Sequence, residues 1–126
     1  MNFPTNIKYT KEHEWISVQK NIGTIGITDY AQGELGDVVY IDIDPNKGEV
    51  KKGESFGTIE AVKTVSDIYA PVSGKIIEMN KDLTDKPETV NSDPYGLGWM
   101  VKIEIKDTNE MNDLLNAEQY RELVGQ

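Results

Sequence analysis

An all-β fold, a small barrel or a sandwich of two sheets, is predicted by three features of this sequence. Short runs of β-branched and aromatic residues recur along most of the chain, each cut by Gly or Pro turn signals. Several alternate apolar and polar residues with the two-residue period of a half-buried strand. Only two patches carry helical start and stop signals, and no linker divides the chain. With 126 residues and 37% hydrophobic content, the chain can build one modest core, and residues 1–126 read as a single domain.

Trp15 to Val18 alternates, and Gly23 to Ile27 puts Ile25 and Ile27 on one face. Thr28 is placed to cap a short internal helix through Leu35, stopped by Gly36. Val38 to Ile43 is β-branched and aromatic and ends at the turn signal Asp44-Pro45-Asn46-Lys47-Gly48. Phe56 to Val62 and Val65 to Tyr69 predict two strands separated by a very short gap. The tetrad Pro71-Val72-Ser73-Gly74 turns the chain into Lys75 to Met79. Trp99, Val101, Ile103 and Ile105 then alternate as a last strand. A C-terminal helical cap, about 109–124, completes the fold. In it Thr108 to Leu115 reads as a helical turn, and Asn116 and Gln119 have capping-box spacing. Tyr120, Leu123 and Val124 share a face before Gly125, so these ends are expected to cover the strands as a lid. A faint echo pairs Asn46-Lys47, Lys52 and Glu54 with Asn80-Lys81, Lys86 and Glu88. Asp37-Val38-Val39 resembles Asp67-Ile68-Tyr69 at a different offset. Such an echo implies two similar strand-turn units with Lys63 near their junction.

The net charge of −9 argues against nucleic acid and anionic membrane as partners, whose phosphates it would repel. It favours encounters with basic patches on other proteins. The absence of cysteine excludes disulfides, thiolate nucleophiles and Cys-ligated zinc, and fits a reducing compartment. No apolar run approaches the length that spans a bilayer, and the N-terminus lacks a basic-then-apolar signal. A cytoplasmic location is the simplest expectation.

Lys63 is the residue that stands out. It lies midway between two strand-forming runs, among small or β-branched neighbours and bracketed by Glu60 and Asp67. That spacing holds one primary amine at a hairpin tip. An ordinary solvated lysine would look the same in isolation. An exposed ammonium is a poor nucleophile at neutral pH, and nothing nearby desolvates this one. It is therefore suited to acylation by a separate enzyme that supplies its own deprotonation. No paired nucleophile and base, metal cluster or nucleotide loop is present to make the chain an enzyme. His13, the only histidine, reads as structural or surface. Asp42-Ile43-Asp44-Pro45-Asn46 begins like a calcium loop but has Lys47 and Gly53 where Gly and Glu are needed.

The run Glu60-Ala61-Val62-Lys63, with Ala70-Pro71-Val72-Ser73-Gly74 beyond it, resembles lipoyl- and biotinyl-carrier domains. His13-Glu14-Trp15, Gly26-Ile27-Thr28-Asp29-Tyr30-Ala31, Leu35-Gly36-Asp37 and Ser66-Asp67 narrow the likeness. With Asn91-Ser92-Asp93-Pro94-Tyr95-Gly96 and Gly98-Trp99-Met100, they resemble the glycine cleavage system H protein family from about Lys8 to Val124. Ala61 departs from the family's more usual Ser, which touches no functional role.

The resemblance implies a barrel-sandwich hybrid of two antiparallel sheets with lipoic acid amide-linked to Lys63. It implies a carrier that is not itself a catalyst. Its partners would be a pyridoxal-phosphate glycine decarboxylase, a folate-dependent aminomethyltransferase, dihydrolipoamide dehydrogenase and a lipoate ligase or lipoyl/octanoyl transferase. By position, Glu14 and Asp67 become candidates for contact with the loaded arm, although Glu14 reads equally as a surface carboxylate beside a core Trp15. Three alternatives share the hairpin: a relay that hands lipoyl groups to other proteins, a biotin carrier, and an unmodified adaptor. Biotin carriers usually flank the lysine with methionines, whereas here Val62 and Thr64 do so.

Overall fold

The computed structural model describes residues 1–44 and 46–126. Pro45, part of the turn expected after Ile43, lies outside the described residues. Among those described, nine strands form two antiparallel sheets. The larger contains β1 (Lys8–Tyr9), β2 (Glu14–Gln19), β3 (Ile22–Ile27), β5 (Glu49–Val50), β8 (Gly74–Met79) and β9 (Val101–Ile105) in the order β1-β2-β3-β9-β8-β5. The smaller runs β4-β6-β7, from β4 (Val38–Ile43), β6 (Ser55–Ala61) and β7 (Val65–Tyr69). The expected two-sheet sandwich is therefore what the chain adopts.

The helical expectations hold at the caps, but Leu123 is 48% exposed and does not join Tyr120 and Val124 in covering the strands. α1 (Asp29–Leu35) is capped by the Thr28 side chain, which accepts from the Ala31 amide, and ends at Gly36. Two single-turn helices, α2 (Asp82–Asp85) and α3 (Thr89–Ser92), fill the stretch before β9. A 3₁₀ turn at Thr108–Asp113 leads into α4 (Ala117–Val124). In α4 the Asn116 side chain accepts from the Gln119 amide and the Gln119 side chain accepts from the Asn116 amide. Gly125 closes the helix in the left-handed region at φ 75°.

Both sheets contribute to one core, with Ile16, Ile25, Ile41, Phe56, Ile59, Ile68, Val101 and Ile103 among its buried members. A bulge between Ser55 and Gly57 shifts the register of β6, so Phe56 and Ile59 both turn inward despite a three-residue spacing. A second cluster lies under the C-terminal helix, where Phe3, Ile7, Tyr9, Trp15, Ala117 and Tyr120 are buried together. Tyr9 and Tyr120 stack with ring centroids 4.7 Å apart. Strand β2 is consequently covered on both faces, with Ile16 in the first cluster and Trp15 in the second.

Three expectations need correction. Trp99 precedes β9 rather than belonging to it, because Met100 and Val101 are both fully buried and the alternation breaks there. Strand β6 stops at Ala61, leaving Val62 exposed at the tip. The internal echo does not mark equivalent units, since Glu49–Val50 is a strand while its counterpart 83–84 is helical. That spacing is a coincidence of composition.

One crossing is tight enough to predict from. A Cβ on Gly74 would collide with the Glu104 carbonyl oxygen, a backbone atom that cannot swing aside. Gly74→Ala is expected to destabilise the fold by about 2 kcal/mol, because β8 and β9 must separate. A urea midpoint equal to that of the wild type would contradict this.

Candidate functional site

Lys63 is placed by a hairpin whose base is buried and whose tip is bare. In β6, Ile59 and Ala61 face the core, and Ile68 does so from β7. The strands pair in register from Thr58↔Asp67 to Glu60↔Val65. At the tip the Ala61 amide donates to the Thr64 carbonyl at 2.8 Å, so Val62 and Lys63 occupy the two central positions. The Val62 amide donates to the Asp37 carbonyl at 3.1 Å, tying the tip to the segment before β4.

That segment is itself fixed by a side chain the sequence reading used only as part of a motif. Asn91 accepts from the Val38 amide at 2.9 Å and donates to the Gly36 carbonyl at 2.8 Å and to Gln32 at 3.0 Å. A half-buried amide with these partners locks residues 36–38, and through Asp37 it orients the hairpin tip. The methylene stem of Lys63 passes over Gly36, its Cε 3.7 Å from where a Cβ would stand. Gly36 has φ 78°, which a side chain would strain. Lys63 is exposed, and no carboxylate among the described residues lies within ion-pairing distance of it.

Glu14 is not the surface carboxylate it might have been. It is 2% exposed, at the start of β2 on the side that Ile16 buries. Oε1 accepts from the Thr10 hydroxyl at 2.6 Å, and Oε2 accepts from the Tyr69 amide at 3.3 Å. The Glu14 amide in turn donates to the Thr10 hydroxyl oxygen at 3.0 Å. Thr10 and Glu14 close a loop on each other, Thr10 amide to Glu14 carbonyl at 2.9 Å, with His13 in the left-handed region at φ 73°. Burial pushes the Glu14 carboxyl up to about 7, against the opposing pull of the Thr10 and Tyr69 hydrogen bonds. Sequence reasoning missed Thr10 and the Tyr69 amide. The available signal for Glu14 was its two-residue spacing from Ile16, which puts it on the core side of β2.

A cavity of about 220 Å³ opens over this carboxylate, lined by Thr10, Tyr69, Ala70, Pro71, Leu114 and Leu115 among others. Lys52 and Asp113 also line it, and they form an ion pair of 2.7 Å. Strand β7 connects the two parts of the site, since about 14 Å of extended chain separates Val65 from Tyr69. Asp67 lies on that route. It is exposed, stands opposite Thr58 and accepts from the Ser55 hydroxyl at 3.3 Å, without contact to Glu14. A wider groove of about 630 Å³, which shares Lys52 with this cavity, is lined by Lys47, Lys51, Lys52 and Lys106, of which all but Lys51 have an acidic partner. His13 is structural: its Nδ1 meets the Tyr120 hydroxyl at 2.8 Å.

A two-sheet β-fold that holds one unpaired lysine out at a hairpin tip, beside a small cavity with a buried carboxylate, has the form of a carrier rather than a catalyst. The comparisons agree and are more specific. Residues 7–126 match the family model for the glycine cleavage H-protein, and the chain belongs to that family. It is 52% identical over its whole length, and over the whole of the relative, to the glycine cleavage system H protein of Staphylococcus haemolyticus. The Staphylococcus epidermidis protein of the same name is likewise 52% identical with full coverage. A crystal structure of the glycine cleavage system H protein from Mycobacterium marinum superposes with a TM-score of 0.86 at 36% identity, covering 98% of this chain and 100% of the other. The chain is thus a lipoyl carrier component of the glycine cleavage system and not itself an enzyme.

Proposed function

We propose that lipoic acid is carried in amide linkage on Lys63 and that Glu14, with Asp67, receives the cationic end of what the arm carries. The observation that carries this reading is the bare, ion-pair-free amine at the tip of a hairpin whose base and flank are both pinned. The residues present suit such a group. Lys63 offers an acylatable amine in solvent. The cavity offers Ala70, Pro71, Leu114 and Leu115 to an apolar chain and one buried carboxylate to a cation. When bound, the lipoyl group supplies a disulfide that takes up the aminomethyl unit of glycine and a dithiol that is afterwards reoxidised.

The work of the polypeptide is positional. Lys63 keeps the attachment point outside the body, where partner active sites can reach it, and raises its local concentration. Thr10 and the Tyr69 amide hold the Glu14 carboxylate in place, and the apolar walls keep water from a hydrolysis-prone cargo. Asp67 provides a second carboxylate along β7, between the tip and the cavity. The partners in this reading are the pyridoxal-phosphate glycine decarboxylase, the folate-dependent aminomethyltransferase, dihydrolipoamide dehydrogenase and the lipoate ligase or lipoyl/octanoyl transferase that loads Lys63. Residues 1–126 act as one carrier domain, and the site of action is the cytoplasm. Among the described residues no helix is long and apolar enough to cross a membrane.

Intact and peptide mass of protein from a lipoate-replete host tests the assignment. A lipoyl addition confined to the peptide containing Lys63 is expected. A biotinyl addition, or an unmodified lysine in protein that supports glycine turnover, would overturn it.

A further inference from the structure

The Thr10 hydroxyl reaches the Glu14 carboxylate across the turn between β1 and β2, so the bond depends on that turn staying closed. The crest of the turn is His13, held at φ 73°, a backbone conformation that a residue with a side chain keeps where its surroundings enforce it. Two bonds supply that enforcement. The His13 carbonyl accepts from the Thr28 amide at 3.1 Å, and His13 Nδ1 lies 2.8 Å from the Tyr120 hydroxyl. The same hydroxyl lies 2.8 Å from Thr28 Oγ1. A phenol can donate to one partner while accepting from the other, so Tyr120 serves both at once. Thr28 in turn caps α1, whose end at Gly36 lies against the Lys63 stem. The Tyr120 ring is fully buried, stacked on Tyr9 and edge-on to Phe3. A phenylalanine ring would satisfy that packing equally, so what the hydroxyl adds is its two bonds.

We propose that Tyr120 is a positioning residue for the carried cargo: through His13 its hydroxyl keeps the Thr10–Glu14 turn closed, and the closed turn keeps the Glu14 carboxylate aimed into the cavity. The inference rests on reading Glu14 as the group that receives the cationic end of the cargo. Tyr120 does not line the cavity, so it acts through the turn and not by contact. The path is short and continuous. The hydroxyl fixes the His13 ring, His13 fixes the crest, and the Thr10 amide donates to the Glu14 carbonyl at 2.9 Å to close the base. Thr10 Oγ1 accepts from the Glu14 amide at 3.0 Å, which leaves its own proton for Oε1 at 2.6 Å. Without the tie at His13 the turn can open, and Glu14 then loses the donor that sets its direction.

The test uses the full chain, lipoylated and then loaded by the decarboxylase, and follows release of ammonia and formaldehyde from the purified carrier. Tyr120→Phe keeps the ring and is expected to release its cargo about fivefold faster, the equivalent of one hydrogen bond. His13→Gly adopts the same backbone conformation without strain but lacks the tie, and is expected to match Tyr120→Phe. His13→Asn tolerates that conformation and offers an amide to the hydroxyl, so it should restore most of the wild-type lifetime. Tyr95→Phe removes a different structural hydroxyl, bonded to the Asp29 amide and the Asn2 carbonyl, and is the control expected to behave as wild type. Urea midpoints confirm that each variant is folded. Because Tyr120 acts through Glu14, Tyr120→Phe/Glu14→Gln should release cargo no faster than Glu14→Gln alone. Wild-type release by Tyr120→Phe or by His13→Gly would overturn the proposal. So would equal acceleration in Tyr95→Phe, or additive acceleration in the double variant, which would mark a general loosening of the fold. Wild-type release by Glu14→Gln is a separate outcome, and it removes the underlying reading as well.

Discussion

Lys63→Arg is expected to reduce glycine turnover by the reconstituted system to the level seen with no carrier added, while the protein folds as before. Arginine keeps the positive charge and a flexible stem, so the hairpin loses neither electrostatics nor contacts with Gly36. Its guanidinium is not acylated under conditions that modify a lysine amine. The side chain is exposed and unpaired, so stability should change by no more than about 0.5 kcal/mol. The other lysines offer no bypass. Lys47, Lys52, Lys102 and Lys106 are held in ion pairs, and none of the rest sits between Val62 and Thr64 at this tip. Glycine–bicarbonate exchange, intact mass and a urea titration on one preparation check all three parts. Appreciable exchange by the arginine variant would mean that the carried group is attached elsewhere.

The hairpin was legible because its information is local. Two strand-forming runs flank a very short gap and define what projects between them, and α1 and α4 announced themselves through Thr28, Gly36, Asn116 and Gly125. Strands β1 and β5 were not legible, since two residues carry no period. The environment of Glu14 was hidden for a different reason. Its burial depends on contacts from far along the chain: the Tyr69 amide 55 residues away, and a second cluster that joins Tyr9 to Tyr120. The role of Asn91 is equally remote, because it reaches back to Gly36 and Val38 across 55 and 53 residues. Motif likeness located these residues without saying what they touch.

Glu14→Gln is expected to stabilise the protein at pH 8 and to leave it unchanged near pH 4. An unfolded glutamate titrates near ~4.3, whereas burial moves the folded carboxyl up to about 7. Between those values the folded state holds a proton that the unfolded state has released. Stability from this group is therefore fully present below the unfolded pKa and is lost as pH rises through the folded one. Over that window the loss is about 4 kcal/mol. Glutamine has nearly the same shape. Its oxygen can still accept from the Tyr69 amide and its amide can donate to the Thr10 hydroxyl, so it escapes the penalty without breaking the network. Urea unfolding at the two pH values measures the difference, and parallel stability curves for both proteins would contradict it. A residue that weakens the fold at working pH, where an amide would not, calls for a functional reason. Pairing with a cationic cargo is such a reason, because it restores the ionised carboxylate with a partner inside the cavity. The same variant should therefore accept the lipoyl group normally yet release ammonia and formaldehyde faster once loaded. Unchanged release rates would leave Glu14 as a link between β2 and β7 and nothing more.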